Sequence, residues 1–283
     1  MSELLSTARQ WSHRWLQRLL TPELELLRFA AIQDAGHGYD LFGLEPRHVA
    51  VMLALLGRIH EHYFRVTAHG VENIPARGPA ILASNHSGTL PFDATMIWTD
   101  VLLRRGRIAR AVADYFVAGM PFVGTLFARC GVVGGTPGNL RVLLESGELV
   151  MLFPEGVPGI SKPIWKRYQL QEWREGHAEL ALRHRVPVVP VAVIGAEEQM
   201  PLLGRLETLG SWIGVPHIPV PLTPIPLPVR YHIHYGEPLV LHEGLEPEDA
   251  DDPDVVKRAS SRVREAVQEL IARGLRQRQG LFR

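Results

Sequence analysis

The sequence predicts an α/β fold, a largely parallel central sheet flanked by helices, with an amphipathic helical N-terminal segment. Three observations carry this expectation. Short apolar runs, "GPAILASN", "ELVMLFPEG" and "VPVVPVAVIG", read as strands buried on both faces. Between them lie stretches of helical period, such as "PFDATMIWTDVLLRR" and "PGNLRVLLESG". The 283 residues are 46% hydrophobic and 21% charged, enough apolar material for a substantial core. Strands alternating with helices in this way build a parallel sheet.

In chain order, Leu4 to Leu20 reads as an amphipathic helix, with Leu4, Ala8, Trp11, Trp15 and Leu19 on one face and Arg9, Arg14 and Arg18 outside it. Such a helix either lies on a membrane surface or docks on the protein's own core. "GYDLFGLEP" reads as a loop, and "EPRHVAVMLALLGRIHEHYF" as a helix with Pro46 in its first turn. "YFRVTAHG", "IARAVADYF" and "CGVVGG" have strand character. Thr136 followed by Pro137 fits the cap and first position of a helix. Proline excludes "GVPHIPVPLTPIPLPV" from a helix or a central strand, so its apolar residues are covered or face lipid. "VRYHIHYGEPLVL" is expected at a sheet edge. "DPDVVKRASSRVREAVQELIARG" is expected as a capped helix ending at Gly274, after an acidic solvated loop.

Several classes of function are disfavoured by composition. Formal net charge is zero, so no overall field attracts nucleic acid. A lone cysteine, Cys130, excludes an internal disulfide and a multi-cysteine metal site, and is compatible with a reducing compartment. No window approaches the roughly 20 apolar residues of a spanning helix, and the first residues lack a signal peptide's apolar core. His232 and His234 share a strand face as zinc ligands sometimes do, but no third ligand stands at a telling spacing.

The chemistry-bearing residues sit at strand ends, where open α/β sheets place ligands. His86 follows the run "AILAS", and Asp93 lies seven positions on. A neutral imidazole there can take a proton from a hydroxyl if a carboxylate fixes its tautomer. Equally, Asp93 suits the first turn of a helix for electrostatic reasons alone. "FPEG" closes another strand: Pro154 fixes the backbone, Gly156 permits a turn or close approach, and Glu155 adds a carboxylate. Lys162, Lys166 and Arg167 follow, able to hold an anion or simply to solvate a surface.

In this order, "NHSGTLPFD", a glycine-bearing strand, "FPEGVPGISK" and "VPVVPVAVIGAEE" resemble the glycerolipid and lysophospholipid acyltransferase superfamily. The resemblance is nearest to its bacterial branch related to monoacylglycerol and diacylglycerol acyltransferases. It covers roughly Tyr63 to Met200. It implies His86 as general base for an acceptor hydroxyl and Asp93 as the acid that orients it. It implies acceptor binding by the block Phe153, Pro154, Glu155 and Gly156. Asn85, beside the base, and the cations Lys162 and Arg167, either of which can stand in for a family arginine, complete the candidate substrate-binding residues. The donor would be an acyl thioester, acyl-CoA or acyl carrier protein, with no other cofactor and no metal. Residues 1–63 are then a helical N-terminal segment available for membrane-surface contact, and 64–283 the acyltransferase domain. The expected location is cytoplasmic, peripheral on the inner face of the membrane, with partners a lipid acceptor, the thioester donor and the membrane surface.

Two departures from the family pattern stand out. Six residues separate His86 from Asp93 where four are usual, so the loop needs Gly88 to bring the carboxylate back. "CGVVGGTPG" also lacks an arginine that phosphate-acceptor members carry after that strand, which leans towards a less charged lipid alcohol. The rival from another class is a non-catalytic lipid-binding or membrane-remodelling protein on the same scaffold, which needs none of His86, Asp93 and Glu155. A serine hydrolase is disfavoured by the lack of a G-x-S-x-G elbow.

Overall fold

The computed structural model describes residues 21–27, 30, 32–87, 90–206 and 218–282. The expected Leu4 to Leu20 helix, Gly88 and the first residues of the proline-rich stretch lie outside the described residues. In chain order the first elements are α1 (Thr21–Leu27), α2 (Pro46–Arg58, continued by a π-helical turn, Ile59–Tyr63), β1 (Thr67–His69), β2 (Ala80–Ser84), α3 (Phe92–Arg105), β3 (Ala109–Ala113) and α4 (Tyr115–Ala118). Then come α5 (Val123–Arg129), β4 (Val133–Gly134), α6 (Pro137–Glu145), β5 (Leu149–Leu152), α7 (Val157–Ile160) and α8 (Gly176–Arg183). The chain closes with β6 (Val188–Ile194), α9 (Ala196–Gln199), β7 (Leu202–Leu206), β8 (Ile218–Pro221), β9 (His232–Tyr235) and α10 (Pro253–Gln277).

The seven-stranded sheet has the order β1-β9-β6-β2-β5-β3-β4. All its pairs are parallel except β6 with β9, which is antiparallel. β2 is central, and its alternation divides the core. Ala80 and Leu82 face the layer that contains α2 and α3, while Ile81 and Ala83 face α6, α8 and α10. α6 begins as its sequence requires: the Thr136 hydroxyl accepts a hydrogen bond from Asn139 N, and Pro137 takes the first position.

Two expectations are corrected. The strand His232–Tyr235 lies between β1 and β6, not at an edge. Its histidines are accommodated inside the sheet because His69 of β1 stacks on His234 at 4.5 Å between ring centroids, so imidazole faces cover imidazole faces. Tyr231, Ile233 and Tyr235 are buried in the core. Among the described residues no three His, Cys, Asp or Glu side chains converge as metal ligands. The second correction concerns Gly274, which does not end the last helix. α10, capped by the Asp252 side chain, runs on to Gln277. Gly274 lies buried where a Cβ would overlap Ile194 Cδ1 and approach His234 Nε2, so this glycine serves close helix–sheet packing.

The proline-rich stretch contributes β8 to a two-stranded antiparallel ribbon with β7, outside the main sheet. Leu203, Leu206, Leu222 and Ile225 are exposed along it.

Candidate active site

The carboxyl ends of β2 and β5 bring the two principal sequence blocks together. Asn85, at the end of β2, is fully buried and uses its amide like a further peptide unit. Its Nδ2 donates to Val193 O at 3.1 Å and its Oδ1 accepts from Val193 N at 2.8 Å. Asn85 thereby fixes the chain to β6 just before His86.

His86 is held from three directions. Its Nδ1 lies 2.6 Å from Asp93 Oδ2. Its ring stacks on Phe153 at 4.3 Å, and its backbone N–H donates to Glu155 Oε1 at 2.9 Å. Asp93 is fully buried and also accepts from Ser87 N at 2.8 Å and Ala94 N at 2.7 Å. The two readings of Asp93 therefore coexist, because the carboxylate occupies the first turn of α3 and bonds the imidazole. The spacing of six residues closes on itself through the Ser87 N–H. With Nδ1–H donating to a carboxylate, Nε2 keeps its lone pair free. The His86 side chain is 18% exposed, enough to meet a substrate.

That ring lies on the wall of a cavity of about 480 Å³. Met52 and Leu56 of α2, Trp98 of α3, Phe116 and Phe127 from the α4–α5 segment, and Met151 and Phe153 of the β5 end make it largely apolar. Pro154 and Gly156 also line it. Gly156 has φ 55° and ψ −145°, a conformation open to glycine and closed to side-chain-bearing residues. Cys130 lines the cavity too, and burial pushes its thiol up to about 12, so it stays protonated and unreactive.

Glu155 sits behind this wall. It is 1% exposed, and both oxygens are taken by the protein: Oε1 by His86 N, Oε2 by Lys162 Nζ at 3.2 Å and Gln171 N at 2.8 Å. Lys162 is also buried and bridges on to Glu197 at 3.0 Å. Burial pushes the Glu197 carboxyl up to about 7, against the pull of Lys162. Tyr168 N donates to Glu197, and its hydroxyl to Glu198 Oε2 at 2.7 Å. The guanidinium of Arg278, just past α10, forks onto Glu198 at 2.5 and 2.8 Å. Arg167 is half-exposed, 3.6 Å from Glu198. Lys162 and Arg167 thus belong to an ionic lattice that braces the His86 loop, and neither lines the cavity.

Sequence reasoning singles out Glu155, Lys162 and Arg167 of this lattice, and misses Tyr168, Gln171, Glu197, Glu198 and Arg278 as its members. "GAEE" carries Glu197 and Glu198 directly after a buried strand, and that placement was the available signal. Arg174, which does line the cavity, had no signal beyond its charge.

Comparison with known proteins agrees with this architecture. An Acyltransferase family model matches residues 65–194. The chain is 36% identical over 258 residues to an uncharacterized protein of Mycobacterium tuberculosis, covering 87% of this chain and 72% of that one. It is 27% identical over 206 residues to the DGAT1/2-independent enzyme synthesizing storage lipids of Bos taurus, covering 72% and 58% respectively. The 1-acyl-sn-glycerophosphate (LPA) acyltransferase PlsC of Thermotoga maritima shares the fold, with a TM-score of 0.52 at 18% identity over 83% of each chain. The ordered motifs, the sheet that presents them and these matches together show that the chain belongs to the glycerolipid acyltransferase superfamily.

Proposed function

We propose that the protein transfers a fatty acyl group from an acyl thioester to the hydroxyl of a lipid alcohol, with His86 as general base. The observation that carries this is the 2.6 Å bond from Asp93 to His86 Nδ1 on the wall of an apolar cavity. Nε2 takes the acceptor's hydroxyl proton as its oxygen attacks the thioester carbonyl carbon. The buried Asp93 carboxylate stabilises the imidazolium that forms. When the tetrahedral intermediate collapses, the C–S bond breaks and the imidazolium returns its proton to the leaving thiolate. The apolar walls hold the acyl chain and exclude water, which otherwise hydrolyses the thioester.

The acceptor in this reading is a glyceride-type alcohol. The relative in cattle that synthesizes storage lipids supports it, as do Lys162 and Arg167, whose charges are committed away from the cavity. The enzyme works peripherally at the inner face of the membrane. No helix among the described residues is long and apolar enough to cross a bilayer. The α4–α5 segment both lines the cavity and projects Tyr115 and Phe122, 70% and 91% exposed, into solvent. Exposed aromatic residues beside a lipid cavity suit an interfacial contact.

Purified protein incubated with labelled acyl-CoA and a panel of lipid alcohols should give labelled ester. Unchanged thioester across the panel, or release of free fatty acid alone, contradicts the reading. Co-sedimentation with anionic liposomes tests the surface, and a protein that stays in the supernatant at low salt contradicts it.

A further inference from the structure

Arg174 stands where the cavity meets solvent. Its backbone is pinned on both sides: its N–H donates to Pro154 O at 2.9 Å, and its carbonyl accepts from His177 Nδ1 at 3.0 Å. The guanidinium lies over Gly156, so that a Cβ there would be 3.5 Å from Arg174 Cζ. Gly156 N donates to Phe153 O at 2.9 Å in a tight turn, and Phe153 stacks on His86. That turn keeps the Cα atoms of Phe153 and Gly156 within about 7 Å, so guanidinium and imidazole border one reaction space.

The other charged residues on the cavity wall have partners. Asp114 caps α4 through Tyr115 N, and Glu179 bonds Arg183 at 3.2 Å. Among the described residues the Arg174 side chain makes no hydrogen bond and no ion pair, and the flanking Glu172 and Glu175 are exposed without reaching it. Exposed at the cavity mouth, with its backbone fixed and its guanidinium lying over a glycine beside apolar walls, Arg174 presents a planar fork of donors and no acceptor, which matches a phosphate oxygen pair.

We infer that Arg174 is the anion-binding residue of this cavity, engaging a phosphate group carried by one of the two substrates. The inference deepens the acyltransferase reading and rests on it only for which substrate brings the phosphate. Two sources share the chemistry, the phosphates of coenzyme A at the end of its pantetheine arm and the phosphate of a lysophospholipid acceptor.

Titration calorimetry on the full chain separates them, comparing wild type, Arg174→Ala and Arg174→Lys. One arm uses coenzyme A against pantetheine, the other lysophosphatidate against monoacylglycerol. Arg174→Ala should weaken binding of the phosphate-bearing member of one arm roughly 10- to 100-fold, the worth of a charge-assisted hydrogen bond. Its phosphate-free counterpart should be unaffected, and Arg174→Lys should recover part of the loss. Loss in the coenzyme A arm identifies the donor and fits a glyceride acceptor; loss in the lysophosphatidate arm identifies the acceptor and overturns the glyceride assignment while leaving the anion site standing. Equal weakening of both members of an arm overturns the inference, as does unchanged affinity in both arms or no wild-type binding to either phosphate ligand. Turnover is not needed for this readout. Arg174-dependent binding in a protein that transfers no acyl group would therefore overturn the acyltransferase reading and leave the anion site standing.

Discussion

Glu155→Gln is the sharpest probe of how the site is held. The substitution preserves shape and removes one acceptor oxygen and the charge. If the new amide replaces Oε2, it faces both Lys162 Nζ and Gln171 N; if it replaces Oε1, it faces only His86 N. The second arrangement is cheaper, and it leaves the His86 N–H buried against another donor. One unsatisfied buried donor costs about 1–3 kcal/mol. Lys162 keeps Glu197 at 3.0 Å but loses half its countercharge, so the total is about 2–4 kcal/mol. For a chain of 283 residues that is a fall of roughly 3–7 °C in melting temperature. Because the strain falls on the residue that carries the imidazole, turnover should also drop, by about 10²-fold for a displacement near 1 Å. Differential scanning calorimetry together with initial rates reads both quantities. A variant that melts within 2 °C of wild type and merely raises the acceptor KM would refute the bracing role and make Glu155 a substrate contact.

Acid should destabilise the fold through His177 and His234. Burial pushes both imidazoles down to about 4 from an ordinary value near 6.5, so the folded state binds fewer protons between those values. Their stabilisation is present above pH 6.5 and lost as the pH falls towards 4. Glu197 has the opposite sign: its raised carboxyl holds a proton in the folded state, so stability declines as the pH rises through about 7. Melting temperature should therefore peak between about pH 6 and 7, and His177→Phe should flatten the acid limb; an acid limb of unchanged slope in that variant contradicts the assignment. Gly274→Ala should cost about 1–3 kcal/mol by overpacking against Ile194 and His234, read by urea denaturation, and a neutral result would mean that α10 shifts freely on β6.

Much of the scaffold was legible in the sequence because local signals and tertiary burial agree there. "AILAS" is apolar up to its last residue, Ser84, and fully buried on both faces, and Thr136–Pro137 starts a helix by local bonding alone. The interior position of β9 was not legible, since a histidine pair reads as polar until a third imidazole, His69, supplies a stacking face from a distant strand. Gly274 misled for a related reason. A glycine near a helix end usually marks a stop, whereas here it answers a close approach by β6 and β9 that sequence does not display. In the site, the strand-end positions of His86 and Glu155 pointed to one region. The inward turn of Glu155 and Lys162 depends on Gln171, 16 residues beyond Glu155, and on Glu197, 35 residues beyond Lys162 and itself held by Tyr168 N.

The proposed transfer turns on His86 Nε2 removing the acceptor proton while Asp93 holds the other ring nitrogen. Single-turnover acyl transfer by His86→Ala and Asp93→Asn, at equal occupancy by donor and acceptor, tests it most directly. Both variants should keep substrate affinity and lose about 10² to 10⁴ of the rate, the first by removing the base, the second by releasing its tautomer. Transfer by a folded His86→Ala protein within a few-fold of wild type would contradict it.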